Sequence, residues 1–449
     1  MVSVAVSVTG RKFTNGYKIR HMVQLLLLIA GSFVVAWMWA LVANHWAMRA
    51  WRKTAGEHWT QRARALFPAR AGAGLQLVLI PTILALAESR FILHVYGWPT
   101  AAMAATACAG VLLANRRMGQ QIYGLAWPFS RAPLFAFVRI LALSPWILLI
   151  AGIFAMPSDL GPDTFLAAAG ILLWFLLLTL GAWWQILYRL GLLRDADQQL
   201  QARINILAAQ MNVRVRRVWI FESWMANGYA SPITREVLLT SALCEKLPPT
   251  ELMAVCAHEL AHLGESRWVK FRRHTAFLAF FPLVFANPIA ASFPIGELPA
   301  IVWAALALLA LVLSQRMARR MEVRADSCAA ENAADQATYA RALERIYQIN
   351  LIPAVMSGRR RIHPHLYDRM LAVGVTPDYP RPMPPRRFTA ATWIQLALLF
   401  LLAMHVHSSV TISASSKPQW ITPGGGHQGT QQQQPVRQGT KREPQEFHI

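Results

Sequence analysis

The stretch His258-Glu259-Leu260-Ala261-His262 gathers three metal-chemistry side chains within five residues. On an α-helix two histidines four positions apart project from one face, so both imidazoles can hold a single zinc ion. Glu259 follows the first histidine and stays clear of the metal. It can take the proton of a water that the metal acidifies while the metal polarises a peptide carbonyl. The chemistry is hydrolytic. The flanks favour it over a solvent-facing helix with two polar residues. Leu252, Val255, Cys256 and Leu260 interleave with the ionisable groups, so the helix is buried, and buried ionisable groups need partners. Thr250, after Pro248-Pro249, is expected to cap the helix, with Glu251 in its first turn.

A third ligand is required. The pattern that closes such a site with a third histidine is absent: Gly264 comes two residues after His262, and Trp268 occupies the position that histidine would need. Glu265 is one candidate, equally readable as a solvated charge beside Arg267. A better one lies in Glu322-Val323-Arg324-Ala325-Asp326, whose two carboxylates share a helix face at i, i+4. One can bind the metal while the other accepts the second ring N–H of a ligand histidine. Without the histidines, the same pair reads as a surface helix with ordinary charge pairing to Arg319, Arg320 and Arg324.

The elements that must position these groups are largely apolar. Of the 449 residues 55% are hydrophobic and 17 are Trp, and the mean hydropathy of +0.33 exceeds that of an ordinary soluble protein. Segments 22–44, 73–95, 134–156, 165–188 and 389–406 each approach the roughly 20 apolar residues a bilayer core requires. Residues 101–114 are apolar but short, readable as a re-entrant or interfacial piece. Two further segments, 274–293 and 298–315, form a hairpin between the halves of the proposed site. The hairpin returns the chain to the side it left, so His258, His262 and Glu322 can meet at one membrane face. Glu88 and Arg90, near the end of the second span, read as functional suspects or as snorkelling charges.

The net charge of +22 raises the question of nucleic acid. No aromatic-basic motif accompanies it, and the bases cluster beside span ends at 49–70, 116–131 and 316–324, as cytoplasmic loops do. No nucleic-acid partner is expected. The loop 157–164 carries Asp159 and Asp163 and no base, so it is expected outside, which puts 190–273, 316–388 and the zinc site in the cytoplasm. The basic residues Arg11, Lys12, Lys18 and Arg20 conflict with that count. Either 101–114 spans differently or the true start is Met22, and no cleaved signal peptide is apparent. The cysteines at 108, 244, 256 and 328 show no paired motif and read as reduced core residues. Residues 194–212 read as an amphipathic helix, Val213–Phe221 and Val237–Thr240 as strands. The composition after about residue 410, with a run of four Gln, implies disorder.

This order of helix, strand, Asn227-Gly228-Tyr229-Ala230, HELAH, two spans and Glu322-x-x-Ala325-Asp326 resembles the M48 family of membrane zinc metallopeptidases, which includes CAAX prenyl proteases and HtpX-like proteases. The resemblance covers roughly 194–375. It implies His258, His262 and Glu322 as ligands of one zinc ion per chain, Glu259 as general base and Asp326 as the partner that orients a ligand. It also implies that Asn227, Gly228 and Tyr229 lie on an edge strand that binds substrate as an added strand. His363-Pro364-His365-Leu366-Tyr367-Asp368-Arg369 is similar to a family segment that places His363 and Arg369 near the transition-state oxyanion. Here His365 replaces a proline of that segment, and Gly228 an alanine of the strand.

The expected fold is mainly α: a polytopic helical membrane protein with a small α+β, gluzincin-like zinc metallopeptidase domain. Its expected parts are a membrane region of four to five spans (1–190), a peptidase part with the HExxH helix (191–273) and a transmembrane hairpin (274–315). A peptidase part with the third ligand (316–388), a last span (389–410) and a disordered tail (411–449) follow. The expected partners are the bilayer and polypeptide substrates, membrane proteins among them. The implied setting is a bacterial inner membrane with the site facing the cytoplasm. The competing expectation is an inactive zinc-binding membrane scaffold.

Overall fold

The computed structural model describes residues 15–88, 98–124, 159–266, 268–269, 278–292, 298–356 and 365–415, with 134, 137–138, 141, 148–149 and 156 between them. Most of the expected span 134–156, Arg90, His363 and the tail beyond 415 fall outside the described residues.

Helices α1 (Asn15–Ala47), α2 (Trp59–Glu88) and α3 (Trp98–Tyr123) pack through Ala36, Ala40, Ile80, Ala107, Val111 and Ala114. Alanines dominate this seam because small side chains let helix backbones approach closely where lipid competes for the same apolar surface. On its outer side α1 exposes Leu26, Leu27, Val34 and Val42. The short apolar segment 101–114 proves to be the middle of the 26-residue α3. Similarly, α2 begins at Trp59, so the basic residues Arg62, Arg64 and Arg70 belong to a helix and not to a loop. The expected span 165–188 is two helices, α4 (Pro162–Leu177) and α5 (Trp183–Arg189), joined by a π turn over Leu178–Ala182 and bent by 52°.

The chain then enters a small mixed sheet. β1 (Leu193–Asp195) leads to α6 (Gln198–Gln210), whose first turn is capped by Asp197 accepting from Leu200 N at 2.8 Å. The strand expected from Val213 begins only at Arg217. Asn212 takes the left-handed conformation and Val213 N bonds back to Ala208 O at 2.8 Å, so these residues close α6 instead. β2 (Arg217–Phe221), β3 (Gly228–Ser231) and β4 (Glu236–Thr240) complete the sheet in the order β1-β2-β4-β3. β2 and β4 run parallel at its centre, β1 and β3 antiparallel at its edges.

Thr240 caps α7 (Ser241–Lys246), and α8 (Pro249–Leu263) carries the histidines. Thr250 is not the cap: Pro248 holds that place, two residues earlier, and Pro249 opens the first turn, where the missing N–H costs nothing. In the first arm of the expected hairpin, Leu278–Phe285 is a 3-10 segment followed by α9 (Ala286–Ser292), with Pro282 and Pro288 withholding backbone donors. The second arm is part of the 34-residue α10 (Leu298–Glu331), which continues unbroken past Glu322 and Asp326. α11 (Gln336–Asn350), capped by Asp335, α12 (Leu366–Ala372) and α13 (Ala390–Ser415) follow. Among the described residues, three helices are long and apolar enough to cross a membrane, in α1, α2 and α10, or four if the bent pair is one span.

One buried core gathers residues of the sheet, α6, α8 and α11, among them Ile204, Val218, Leu239, Leu260 and Leu343, with α8 packed on β3 and α11 on α8. Asn350 ties this core to the bundle. Its amide pairs with the backbone of Ala226 in both directions, at 2.7 and 2.9 Å, while its carbonyl accepts from Arg70 of α2 at 2.6 Å and Tyr123 of α3 at 3.3 Å. By contact the chain divides into two units, Met1–Leu402 and Ala403–Ile449, the second described as far as Ser415.

Candidate active site

α8 runs through the middle of the core, with Leu252, Val255, Cys256, Leu260 and Leu263 all buried. Glu251, His258 and His262 on it each meet a partner. Glu251 in the first turn is held by Arg345 of α11, Nε to Oε2 at 2.7 Å and Nη2 to Oε1 at 3.1 Å. His258 and His262 stand one turn apart with ring centroids 5.0 Å from each other, edge to face.

Both imidazoles turn Nε2 toward Glu322 on α10, at 3.4 Å from His258 and 3.5 Å from His262. One ligand atom from each residue lies within 4.8 Å of the other two. A tetrahedral zinc site with bonds of about 2.1 Å has edges of about 3.4 Å, so the two nitrogens and the carboxylate suit that ion in type and spacing.

The opposite ring nitrogens are also held. His258 Nδ1 lies 2.9 Å from the Tyr339 hydroxyl and 3.1 Å from Asp326 Oδ1. Tyr339 donates to Asp326 Oδ1 at 2.6 Å. His262 Nδ1 lies 2.8 Å from Glu265 Oε1. Acceptors on both Nδ1 atoms fix the tautomer that leaves each Nε2 lone pair pointing into the cluster. Burial works against charge on His258, but the Asp326 and Glu322 carboxylates outweigh it and raise this imidazole to about 9.

Arg369 sits behind this layer. The resemblance implies a place near the oxyanion, yet the guanidinium is buried and engaged elsewhere: Nε donates to Asp326 Oδ2 at 2.7 Å, and Nη2 donates to Asp326 Oδ1 and to Tyr339 at 3.0 Å. Arg369 therefore reaches the cluster through Asp326. Burial opposes its charge, and Tyr339 and Asp326 more than compensate, so it stays protonated.

Glu259 is buried beside the cluster and lies against β3. A Cβ placed on Gly228 would stand 2.9 Å from Glu259 Cγ and 3.0 Å from Oε1. The glycine thus lets the carboxylate lie on the backbone of the edge strand. Asn227 is exposed at the head of that strand, its N–H bonded to Thr240 Oγ1 at 2.9 Å. Tyr229 is half exposed and rests on Trp184 of α5, centroids 5.9 Å apart.

The structure thus brings together His258, Glu259, His262, Glu322, Asp326 and Gly228. Sequence reasoning missed Tyr339, and it weighed Glu265 as a ligand although its oxygen meets the outer ring nitrogen. The cue for Glu265 was its place one turn past His262. A tyrosine on the buried face of an amphipathic helix gives no comparable cue.

A mainly helical membrane chain whose small mixed sheet lies beside a His-His-Glu cluster and a buried glutamate has the features of a membrane metallopeptidase. Residues 194–375 match the model of Peptidase family M48. The chain is similar to "Protease HtpX" of Pseudomonas paraeruginosa, 27% identical over 210 residues that make up 39% of this chain and 72% of that one. It is likewise similar to "Protease HtpX homolog" of Acaryochloris marina, 32% identical over 193 residues, 38% of this chain and 65% of that one. The resemblance is to an M48 membrane metallopeptidase of the HtpX kind, and the chain is read as a membrane protease on that ground.

Proposed function

We propose that the protein is a zinc endopeptidase that hydrolyses peptide bonds of membrane-associated or misfolded polypeptides at a site facing the cytoplasm. One observation carries the reading: Glu259, between two members of the His258-His262-Glu322 cluster in sequence, lays its carboxylate side chain against the edge strand β3. His258, His262 and Glu322 would hold the ion, which when bound lowers the pKa of a water and polarises the scissile carbonyl. The substrate lies along β3 as an added strand, its backbone in register with Gly228 and Tyr229. Glu259 then takes a proton from the attacking water and returns it to the leaving amine. Asp326, Tyr339 and Glu265 keep the two imidazoles oriented. His363 is assigned to the oxyanion on the family resemblance.

Glu259→Gln keeps the shape and removes the base. Purified full-length variant should retain about one zinc per chain and its thermal midpoint, while cleavage of a membrane substrate falls by roughly 10²-fold. Unchanged cleavage would overturn the mechanism. Zinc content without cleavage in the parent protein would point to the inactive scaffold.

A further inference from the structure

A cavity of about 280 Å3 lies at the bend between α4 and α5, lined among others by Trp184, Gln185, Arg216, Arg217, Thr234 and Glu236. The bend is made by Gly181, at φ +105, a conformation that side chains other than glycine's rarely adopt. A Cβ there would also meet the Thr234 methyl at 2.9 Å, so the broken helix rests directly on the β3–β4 turn.

The cavity carries charge of both signs. Glu236, the first residue of β4, is 6% exposed, and its Oε2 is enclosed without a hydrogen-bond partner among the described residues. The enclosed hydroxyl of Thr234 is in the same condition. A buried carboxylate oxygen is costly unless a cation or an N–H donor meets it. Arg217, its cross-strand neighbour, acts on it through charge but makes no hydrogen bond with it among the described residues. Its guanidinium is turned to Asp195, at 2.5 and 2.7 Å, and stacks 3.8 Å over Trp219. Arg216, exposed at the rim, offers positive charge toward the outside. An inner acceptor pair and an outer guanidinium suit a small zwitterion with its ammonium inward and its anion outward. Leu180 lines the cavity, and Leu173, Leu176 and Leu177 are exposed on the helical turns that lead up to it, a surface matched to acyl chains.

We propose that this cavity holds the headgroup of a phospholipid bearing a primary ammonium. The ammonium donates to Glu236 Oε2 and Thr234 Oγ1, the phosphate faces Arg216, and the chains lie on the leucine face. N-methylation removes the N–H donors, so a choline headgroup is disfavoured. Trp184, which lines the cavity, also packs on Tyr229, so an occupied cavity braces the edge strand.

The test uses full-length protein in detergent, stripped of lipid and titrated with short-chain phosphatidylethanolamine, phosphatidylcholine and phosphatidylglycerol, bound lipid being read by native mass spectrometry. Phosphatidylethanolamine should bind about tenfold more tightly than the other two, the scale of one charge-assisted hydrogen bond. Glu236→Gln should abolish that preference, and Arg216→Ala, on the exposed rim, should weaken phosphatidylethanolamine severalfold without unfolding the protein. Equal binding of the three lipids, a preference that survives Glu236→Gln, or undiminished binding in Arg216→Ala would overturn the proposal. Glycerophosphoethanolamine binding as tightly as the lipid would overturn the assignment to a bilayer component.

Discussion

Replacing Tyr339 by Phe removes one hydroxyl from the layer behind the histidines and little else. The residue is 1% exposed, and Phe fills nearly the same volume, so no cavity opens. The lost oxygen donates to Asp326 at 2.6 Å, lies 2.9 Å from His258 Nδ1 and accepts from Arg369 at 3.0 Å. Hydrogen bonds to charged groups contribute about 1.5–3 kcal/mol, or roughly 10- to 100-fold in a binding constant. Asp326 Oδ1 remains 3.1 Å from the same ring nitrogen, so His258 keeps one acceptor and the lower end applies. Zinc affinity of Tyr339→Phe should therefore fall about tenfold, in line with other partners that orient ligand histidines. Competition against a chromophoric chelator near neutral pH reads this directly, and an unfolding curve checks the fold. Affinity within about twofold of the parent, in a folded variant, would refute the idea that Tyr339 orients His258. Glu265 supplies the internal comparison. Glu265→Gln keeps an acceptor for His262 Nδ1 and should bind zinc nearly as the parent does, whereas Glu265→Ala should lose roughly 10- to 100-fold.

Gly228→Ala would put a methyl where the Glu259 side chain lies, 2.9–3.1 Å from three of its atoms, so zinc content should hold while cleavage drops tenfold or more; unchanged cleavage would show that Glu259 has room to spare. Because the flanking carboxylates raise His258 from 6.5 to about 9, zinc uptake near neutral pH should release about one proton, and affinity should climb with pH and level off above about 9. Calorimetry in buffers of different ionisation heat measures that release. In the metal-free protein the same shift stabilises the fold fully below the unfolded value of 6.5 and is lost as pH rises through about 9. A cysteine at Gly264 should be shielded from an impermeant thiol reagent in intact cells and one at Ser158 labelled; the reverse pattern would invert the topology.

The metal cluster was legible because its spacing is local. Two histidines at i, i+4 and two carboxylates at i, i+4 each declare a helix face, and only their meeting required the fold. Tyr339 was illegible for the opposite reason, since its partners come from α8, α10 and α12 and nothing near it in sequence names them. The strand from Val213 was misread because valine alternating with arginine resembles a half-buried strand, while Asn212 was already closing the preceding helix. β1, at three residues, is too short for a period to register. The basic ends of α2 and α3 were read as loops because charge was taken to end a helix, when it ends only the apolar part of one.

α10 has a consequence for how the site answers its surroundings. The helix is 34 residues long, about 51 Å at 1.5 Å per residue, and it carries apolar surface at one end and Glu322 roughly 36 Å along it. The histidines belong to α8, in the sheet-covered core. A metal held by all three residues would tie this strut to α8, against which its far half already packs in the same core. A tilt of about 5° in the strut, of the kind a change in hydrocarbon thickness imposes, moves a point 15 Å beyond the pivot by about 1.3 Å. That is a large fraction of a coordination bond. With zinc bound as proposed, the angle of α10 and the hold on the ion would be linked: a membrane that seats α10 well would tighten the metal, and the metal would hold the strut at one angle.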